Sequence, residues 1–444
     1  MIKVITYGTF DLFHEGHYRL LQRAKALGDY LIVGVTTEEF DQTRGKLNVV
    51  DSLMTRLENV RKTGFADEII IEASAGQKFR DIKKYQIDIF AIGSDWTGCF
   101  DYLSEYCKVV YLERTKNISS TMLREQQRHI LRFGIVGTGR IAQRFIPEAK
   151  LVSGVDSPAV YNPHFESARR FAEKNEIDTY ENIEDFYQAV DAVYIASPHG
   201  THYDYIRSAL EHGKHVLCEK PMVLRRSQAE ELFALAKQRG LVLVEGIKTA
   251  YCPGFEKLLG IACSGVIGSV RNVEACFTKL ADPKSREMTD LACGGSFTEL
   301  GSYVMLPVFK LFGCQFEDVR FDAIRGENGL DIFSKVYFRY PGGLGTGTCG
   351  LGVKSEGRLV ISGTKGYIVV EAPWWKTSYF EVHFEDPGEI EKYSDSFKGE
   401  GLRYEISNFL SSVSGDSRGE FKLTRGESTA MADVMERFRK EGGE

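Results

Sequence analysis

The nine cysteines include no C-x-x-C pair and their number is odd, which argues against a disulfide framework and a structural zinc site. No apolar run approaches the roughly 20 residues of a membrane span, so no membrane partner is expected. The net charge is −6 and no stripe of lysine and arginine appears, which removes nucleic acid from the expected partners. No low-complexity tract or regular repeat interrupts the chain. Its first residues, Met1-Ile2-Lys3-Val4-Ile5, read as a strand rather than a signal peptide, so a cytoplasmic location is expected. What is present is a globular composition, 43% hydrophobic and 27% charged, over 444 residues. That length is too great for one ordinary core and predicts two or three domains.

The apolar pattern starts twice. Val4-Ile5-Thr6-Tyr7 reads as a strand, followed by a helix with Leu20, Leu21, Ala24 and Leu27 on its apolar face, then the strand Tyr30 to Val35. Further strands are predicted at Glu68–Ile71, Asp88–Ile92 and Val109–Leu112, and a polar helix-forming run at Glu125–His129. Arg132 to Val136 then begins a new strand, which runs into Gly137-Thr138-Gly139 and a new helix. Strands follow at Ala159–Tyr161, Ala192–Ala196 and His215–Cys218. Beyond about residue 250, long strand-like segments dominate: Val270–Phe277, Phe333–Arg339 and Arg358–Ile361, with a closing helix near Ala430–Arg439. The expected fold class is α/β, with two doubly wound Rossmann-like parallel-sheet modules followed by an α+β domain carrying a largely antiparallel open sheet. The corresponding boundaries are 1–128, 129–250 and 251–444.

The stretch Thr6 to His17 places His14 and His17 at the first strand-to-helix turn. Ligands of parallel sheets sit beyond the carboxyl ends of strands, where helix N-termini favour anions. Gly8 permits close backbone approach, Thr9 offers a hydroxyl, and the imidazoles add donors for a phosphoryl group that gains charge. A lone H-x-x-H is more often a metal site or a capped surface. Here the pair stands within G-T-F-D-x-x-H-x-G-H, which resembles the HxGH nucleotidyltransferase superfamily. Leu20–Asp29, Gly93-Ser94-Asp95-Trp96 and Arg114–Thr121 extend the resemblance to the glycerol-3-phosphate cytidylyltransferase family over about the first 125 residues. The resemblance implies CTP contacts from Thr9, Phe10, His14, His17, Lys46, Asp95, Trp96, Arg114, Ser119 and Thr121, with both histidines catalytic. It also implies that Arg44 and Lys78 bind the phosphorylated acceptor. Asn117 and Ser120 depart from the family pattern, and asparagine tolerates the left-handed angles of the glycine it replaces. Mg2+ is expected with CTP, to neutralise charge as pyrophosphate leaves, and no protein metal site is expected.

Gly137-x-Gly139-x-x-Ala142 follows a strand and opens a helix, the context in which this turn cradles a dinucleotide. Ser197-Pro198-His199-Gly200-Thr201-His202 and Glu219-Lys220-Pro221 stand at later strand ends. Together they resemble the glucose–fructose oxidoreductase, inositol dehydrogenase and MocA family over roughly residues 131 to 440. The resemblance implies NAD or NADP contacts from Gly137, Gly139, Ile141, Ala142, Asn162, Ser197, Pro198, His202, Glu219 and Lys220. It makes Lys220 and Tyr303 the catalytic pair, with Tyr303 a general acid whose pKa Lys220 lowers, and Glu299 in the place of the family aspartate. The choice between NAD and NADP stays open: Arg169 or Arg170 would reach a 2′-phosphate, or both are solvated helix residues. Cys252, Cys276 and Cys293 read as small buried groups, and Trp374 and Trp375 as packing or subunit contacts.

The expectation is a bifunctional enzyme that reduces a sugar or keto phosphate and then makes a CDP-activated polyol for a cell-wall or capsular polymer. Its partners are small molecules (CTP, a polyol phosphate, a sugar or keto phosphate), and the resemblance implies a homo-oligomer. Two alternatives stand beside it: one module is silent and serves nucleotide sensing or assembly, or the oxidoreductase acts on an unrelated sugar.

Overall fold

The computed structural model describes residues 1–43, 49, 51–74, 76–113, 130–414 and 422–441, apart from the side chains of 39, 42, 43 and 95. The chain forms two compact units, Met1–Ile130 with Lys150–Val155, and Leu131–Ala149 with Asp156–Glu444. The polar run predicted as a helix at Glu125–His129 lies outside the described residues.

In the first unit, five parallel strands run β1 (Lys3–Gly8), β2 (Tyr30–Thr36), β3 (Glu68–Glu72), β4 (Ile89–Gly93) and β5 (Lys108–Leu112). Their order in the sheet is β3-β2-β1-β4-β5, so the winding reverses between β1 and β4. β1 and β2 are apolar almost throughout because helices cover both faces of the sheet. Leu21 and Ala24 of the helix Glu15–Lys25 are buried against Val4, Leu31 and Val33, with Leu20 and Leu27 at the edge of that cluster.

The second unit opens with another parallel sheet: β6 (Leu131–Val136), β7 (Val155–Tyr161), β8 (Asp178–Thr179), β9 (Ala192–Ile195), β10 (His215–Glu219) and β11 (Leu243–Gly246). The order β11-β10-β9-β6-β7-β8 puts its reversal between β6 and β9. An eight-stranded sheet follows, made of β12 (Val270–Thr278), β13 (Asp318–Arg325), β14 (Asp331–Tyr340), β15 (Gly343–Gly350), β16 (Leu359–Gly363), β17 (Gly366–Val370), β18 (Tyr379–Phe384) and β19 (Ile390–Ser394). It is antiparallel except where β12 pairs with β15. The helix Ser296–Phe312 is mostly buried and packs on this sheet. The fold class is therefore the expected one, two parallel α/β sheets and then a largely antiparallel sheet.

One buried ion pair ties the helix Arg140–Ala149 to the helix Leu402–Val413. Glu148 accepts from Arg403 Nε at 2.9 Å and Nη2 at 2.6 Å, and from the Arg403 and Glu400 backbone N–H groups at 3.1 and 3.2 Å. Burial works to raise the Glu148 carboxyl, but Arg403 outweighs it and holds the pKa below its usual value. Glu148→Gln leaves Arg403 buried without its counter-charge and should cost about 3 kcal/mol at neutral pH. The folded pKa is depressed, so this contribution is present above the usual carboxylate value of 4.5 and is lost as the pH falls through the folded value. Thermal unfolding from neutral to acid pH should show the gap between wild type and variant closing on acidification. Equal stability at neutral pH would contradict it.

Candidate active sites

In the first unit, β1 ends at Gly8 and the chain turns through Thr9–Phe13 into the helix Glu15–Lys25. His14 is the N-cap, and its Nδ1 accepts the Gly16 N–H at 3.0 Å. An accepting Nδ1 leaves the proton of the neutral ring on Nε2, so that edge is a donor. The His14 and His17 rings stack with centroids 4.0 Å apart, and Phe10 meets His17 edge-on at 5.5 Å. Phe10 reaches that place with φ +54, a strained angle for an aromatic residue. A Cβ on Gly8 would lie 3.0 Å from the Phe10 ring, so glycine lets the ring fold back beneath the motif.

The base of this turn is fixed by Thr9 together with groups that the sequence did not single out. Thr9 and Thr36 donate to Asp41 at 3.1 and 2.6 Å. Fully buried Arg56 donates to the carbonyls of Thr9, Thr36 and Asp51 at 2.9, 2.7 and 3.0 Å. It thus pins the carboxyl ends of β1 and β2. An arginine in a polar helix reads as a solvated residue, and only the fold reveals its burial. β4, the neighbour of β1, ends in the turn Ser94–Trp96, so the histidine motif and Trp96 leave the sheet on either side of its winding reversal. Trp96 is 42% exposed, its ring 5.9 Å from Phe100. Lys78 is buried, with its ammonium on Glu72 and 4.6 Å from the Tyr7 ring centroid. Arg44, Lys46, Arg114, Ser119, Thr121 and the Asp95 side chain lie outside the described residues.

In the second unit, Gly137 has φ +107, and a Cβ there would lie 2.6 Å from the Ala196 carbonyl oxygen. Only glycine permits this close approach of the β6 and β9 ends. A Cβ on Gly139 would meet nothing, which leaves open space before the helix Arg140–Ala149, where a pyrophosphate fits. Ile141 is half-buried and Ala142 fully buried in that helix. Asn162, just past β7, donates to the Thr138 hydroxyl at 3.0 Å, which fixes an amide beside the glycine turn. Arg169 pairs with Glu166 at 2.9 Å and Glu173 at 4.0 Å on its own helix. These features fit a dinucleotide.

Ser197 receives the Thr201 hydroxyl at 2.8 Å, and Pro198 caps the short turn His199–Thr201. His202 is fully buried, its ring nitrogens 2.9 Å from the Pro221 and Ser197 carbonyls. Burial, with His199 and Lys220 nearby, pushes its pKa down to about 4. The neutral ring has one N–H, so it donates to one carbonyl and joins the β9 and β10 loops from inside the protein.

Three of the expected residues converge at the head of the helix Ser296–Phe312. Lys220 Nζ donates to the Glu299 carbonyl at 2.8 Å, lies 3.5 Å from its carboxylate, and sits 5.8 Å from the Tyr303 ring centroid. Glu299 and Tyr303 are one helical turn apart, which puts both on the face toward Lys220. The structure adds His199, 2.7 Å from the Glu299 carboxylate, and Arg286 at 3.4 Å. Burial favours the neutral Glu299, but Lys220, His199 and Arg286 overcome it and hold the carboxyl far below its usual range. The expected lowering of the Tyr303 pKa is overturned. Burial, then Glu219 and Glu405, push the phenol well above its usual value, and Lys220 does not reverse them. Glu219 itself is buried, accepts from Tyr194 at 2.6 Å, and is raised by burial. His199 stood within the quoted S-P-H-G-T-H stretch, whereas nothing local marked Arg286. Among the described residues, no group of three His, Cys, Asp or Glu side chains is placed to hold a metal ion, and no helix is long and apolar enough to cross a membrane.

Three family models match: "Cytidylyltransferase-like" over residues 5–126, "Oxidoreductase family, NAD-binding Rossmann fold" over 131–247, and "GFO/IDH/MocA C-terminal domain" over 255–369. Glycerol-3-phosphate cytidylyltransferase of Bacillus spizizenii is 51% identical over 125 residues, covering 28% of this chain and 96% of that protein. Trans-1,2-dihydrobenzene-1,2-diol dehydrogenase of Sus scrofa is 30% identical over 326 residues, covering 70% of this chain and 96% of its own length. The fold of the same region is that of a 3-ketoreductase from Actinomadura kijaniata, with TM-score 0.61 and 24% identity over 70% of this chain and 97% of the other. The chain therefore belongs to two enzyme families at once, the cytidylyltransferase-like family through its first unit and the Gfo/Idh/MocA oxidoreductases, with their NAD-binding Rossmann fold, through its second.

Proposed function

We propose that the chain makes a CDP-activated polyol in two steps, reducing a sugar or keto phosphate with NADH or NADPH and then transferring a cytidylyl group to the resulting polyol phosphate. The observation that carries this reading is that one chain keeps both constellations: the stacked His14–His17 pair at a strand-to-helix turn, and Lys220 with Tyr303 and Glu299 beside a dinucleotide turn. Reduction yields an acceptor of the class used by the cytidylyltransferase relatives, which supports this order.

In the reductase, a bound nicotinamide would supply the hydride for the carbonyl carbon. Lys220 polarises the carbonyl oxygen, and Tyr303 gives its proton to the alkoxide as it forms. A raised pKa suits this direction, because the phenol stays protonated until a stronger base appears. Ionised Glu299 holds Lys220 in place. Gly137, Gly139, Ile141, Ala142, Asn162, Ser197, Pro198 and Glu219 line the cofactor, with His202 supporting them from behind. In the transferase, an acceptor phosphate oxygen attacks the α-phosphorus of CTP while the bond to pyrophosphate breaks. His14 and His17 donate to the charge that develops, and Mg2+ accompanies the triphosphate. Thr9, Phe10, Lys46, Asp95, Trp96, Arg114, Ser119 and Thr121 hold CTP, and Arg44 and Lys78 the acceptor; Lys78 would exchange Glu72 for the acceptor phosphate.

The reading further assigns three domains at 1–128, 129–250 and 251–444, a homo-oligomer, and a cytoplasmic supply of activated polyol for a cell-wall or capsular polymer. Pyrophosphate release, screened over glycerol, ribitol and longer polyol phosphates with CTP or ATP, tests the transferase half. CTP should be preferred by about 100-fold or more, the discrimination available to a site that hydrogen-bonds its correct base. Equal rates with ATP, or no polyol phosphate accepted, would overturn it.

A further inference from the structure

Around Glu299, at the head of the helix Ser296–Phe312, the fold gathers Lys220, Arg286 and Lys279. Past β12, the Lys279 N–H donates to the Gly350 carbonyl at 2.9 Å, and the Leu351 N–H donates to the Ser296 hydroxyl at 3.0 Å. On the other flank, the Gly295 N–H donates to the Glu287 carbonyl at 2.9 Å. These bonds draw Lys279 and the Arg286–Glu287 turn to the head of the helix that carries Glu299 and Tyr303. Phe277 of β12 meets the Tyr303 ring at 5.2 Å, and Lys279, two residues on, continues the same strand face.

Glu299 is matched by Lys220, His199 and Arg286, and Glu287 lies 3.6 Å from Arg140. The half-buried Lys279 ammonium makes no hydrogen bond or ion pair among the described residues. Burial, then Arg140 and Lys220, push its pKa down against the pull of Glu287 and Glu299. A partly desolvated cation crowded by like charges costs free energy, which an anionic ligand would relieve. Arg286 approaches Glu299 and Asp290 only at 3.4 and 4.0 Å, so its fork can take a further anion.

We propose that Lys279, with Arg286, forms a phosphate subsite in the reductase pocket that reads the phosphate of the carbonyl substrate while Lys220 and Tyr303 face its carbonyl. This rests on the reading above that the substrate is a phosphorylated carbonyl compound. A cofactor 2′-phosphate is the other source of the same chemistry. The 2′-phosphate has its place beside Asn162 past β7. The cofactor pyrophosphate lies nearer, because Arg140, at the dinucleotide turn, also acts on Lys279.

The test measures NADH or NADPH oxidation by the full chain with dihydroxyacetone phosphate, ribulose 5-phosphate and xylulose 5-phosphate, each against its free ketose. Wild type should prefer the esters. Lys279→Met should lower the ester-to-ketose ratio of kcat/KM roughly 30-fold, mainly through KM, as expected for one lost charge-assisted phosphate contact. Lys279→Arg should restore most of the ratio, and melting curves check that both variants fold. An unchanged ratio in Lys279→Met would overturn the subsite and leave the two-step reading standing. An effect confined to the KM of NADH or NADPH, with the ester-to-ketose ratio unchanged, would overturn it in favour of a cofactor phosphate. A wild type that reduces only free ketoses would remove the two-step reading, and this subsite with it.

Discussion

Lys220→Ala should cut NAD(P)H-dependent reduction by roughly 1,000-fold, the scale of a lost transition-state donor combined with a disturbed proton transfer. Its ammonium touches the Glu299 carbonyl at 2.8 Å and lies over the Tyr303 ring, and in the proposed reaction its loss removes the charge assigned to the substrate oxygen. Glu299 would keep its hydrogen bond with His199 and its ion pair with Arg286, so the fold should survive. Cytidylyl transfer from a supplied polyol phosphate should be unaffected, because those groups belong to the other unit. Steady-state rates of both half-reactions on one preparation provide the check. Reduction within tenfold of wild type would remove Lys220 from the chemistry.

His17→Ala should lower cytidylyl transfer by about 100-fold or more while reduction persists. The imidazole stacks on His14 and abuts Phe10 and Phe13, so its loss removes a donor and also loosens the partner ring. The main fall should be in kcat, since the interaction strengthens as charge develops on the leaving pyrophosphate. A normal rate at saturating CTP would show that the imidazole does not serve the phosphate.

What the sequence disclosed was local. Buried strands running into glycine turns, at Val4–Gly8 and Phe133–Gly139, announce both parallel sheets because apolar run, turn and helix adjoin along the chain. The parallel pairing of β12 with β15 has no such signature, since partners roughly seventy residues apart meet only in the folded sheet. The same distinction governs the sites. Lys220, Glu299 and Tyr303 were legible as motif positions, but the ion cluster formed with His199 and Arg286 depends on how distant segments pack. The expected acidification of Tyr303 failed for that reason: desolvation and the carboxyls of Glu219 and Glu405 belong to the tertiary structure. Lys78 on Glu72, and Arg56 beneath the first two strands, likewise owe their surroundings to the fold. Trp374, expected with Trp375 in packing or a subunit contact, is fully buried with its indole N–H on the Cys276 carbonyl at 2.8 Å.

The central claim is that the two activities form a sequence, with the polyol phosphate as the intermediate they share. The most direct measurement incubates Lys220→Ala and His14→Ala, separately and mixed, with one carbonyl phosphate, CTP, Mg2+ and NADH or NADPH, and quantifies CDP-polyol. The account predicts no product from Lys220→Ala alone, accumulated polyol phosphate from His14→Ala alone, and CDP-polyol from the mixture. If the mixture forms none while each variant keeps its remaining half-reaction, the two units do not act on a common intermediate and the account is contradicted.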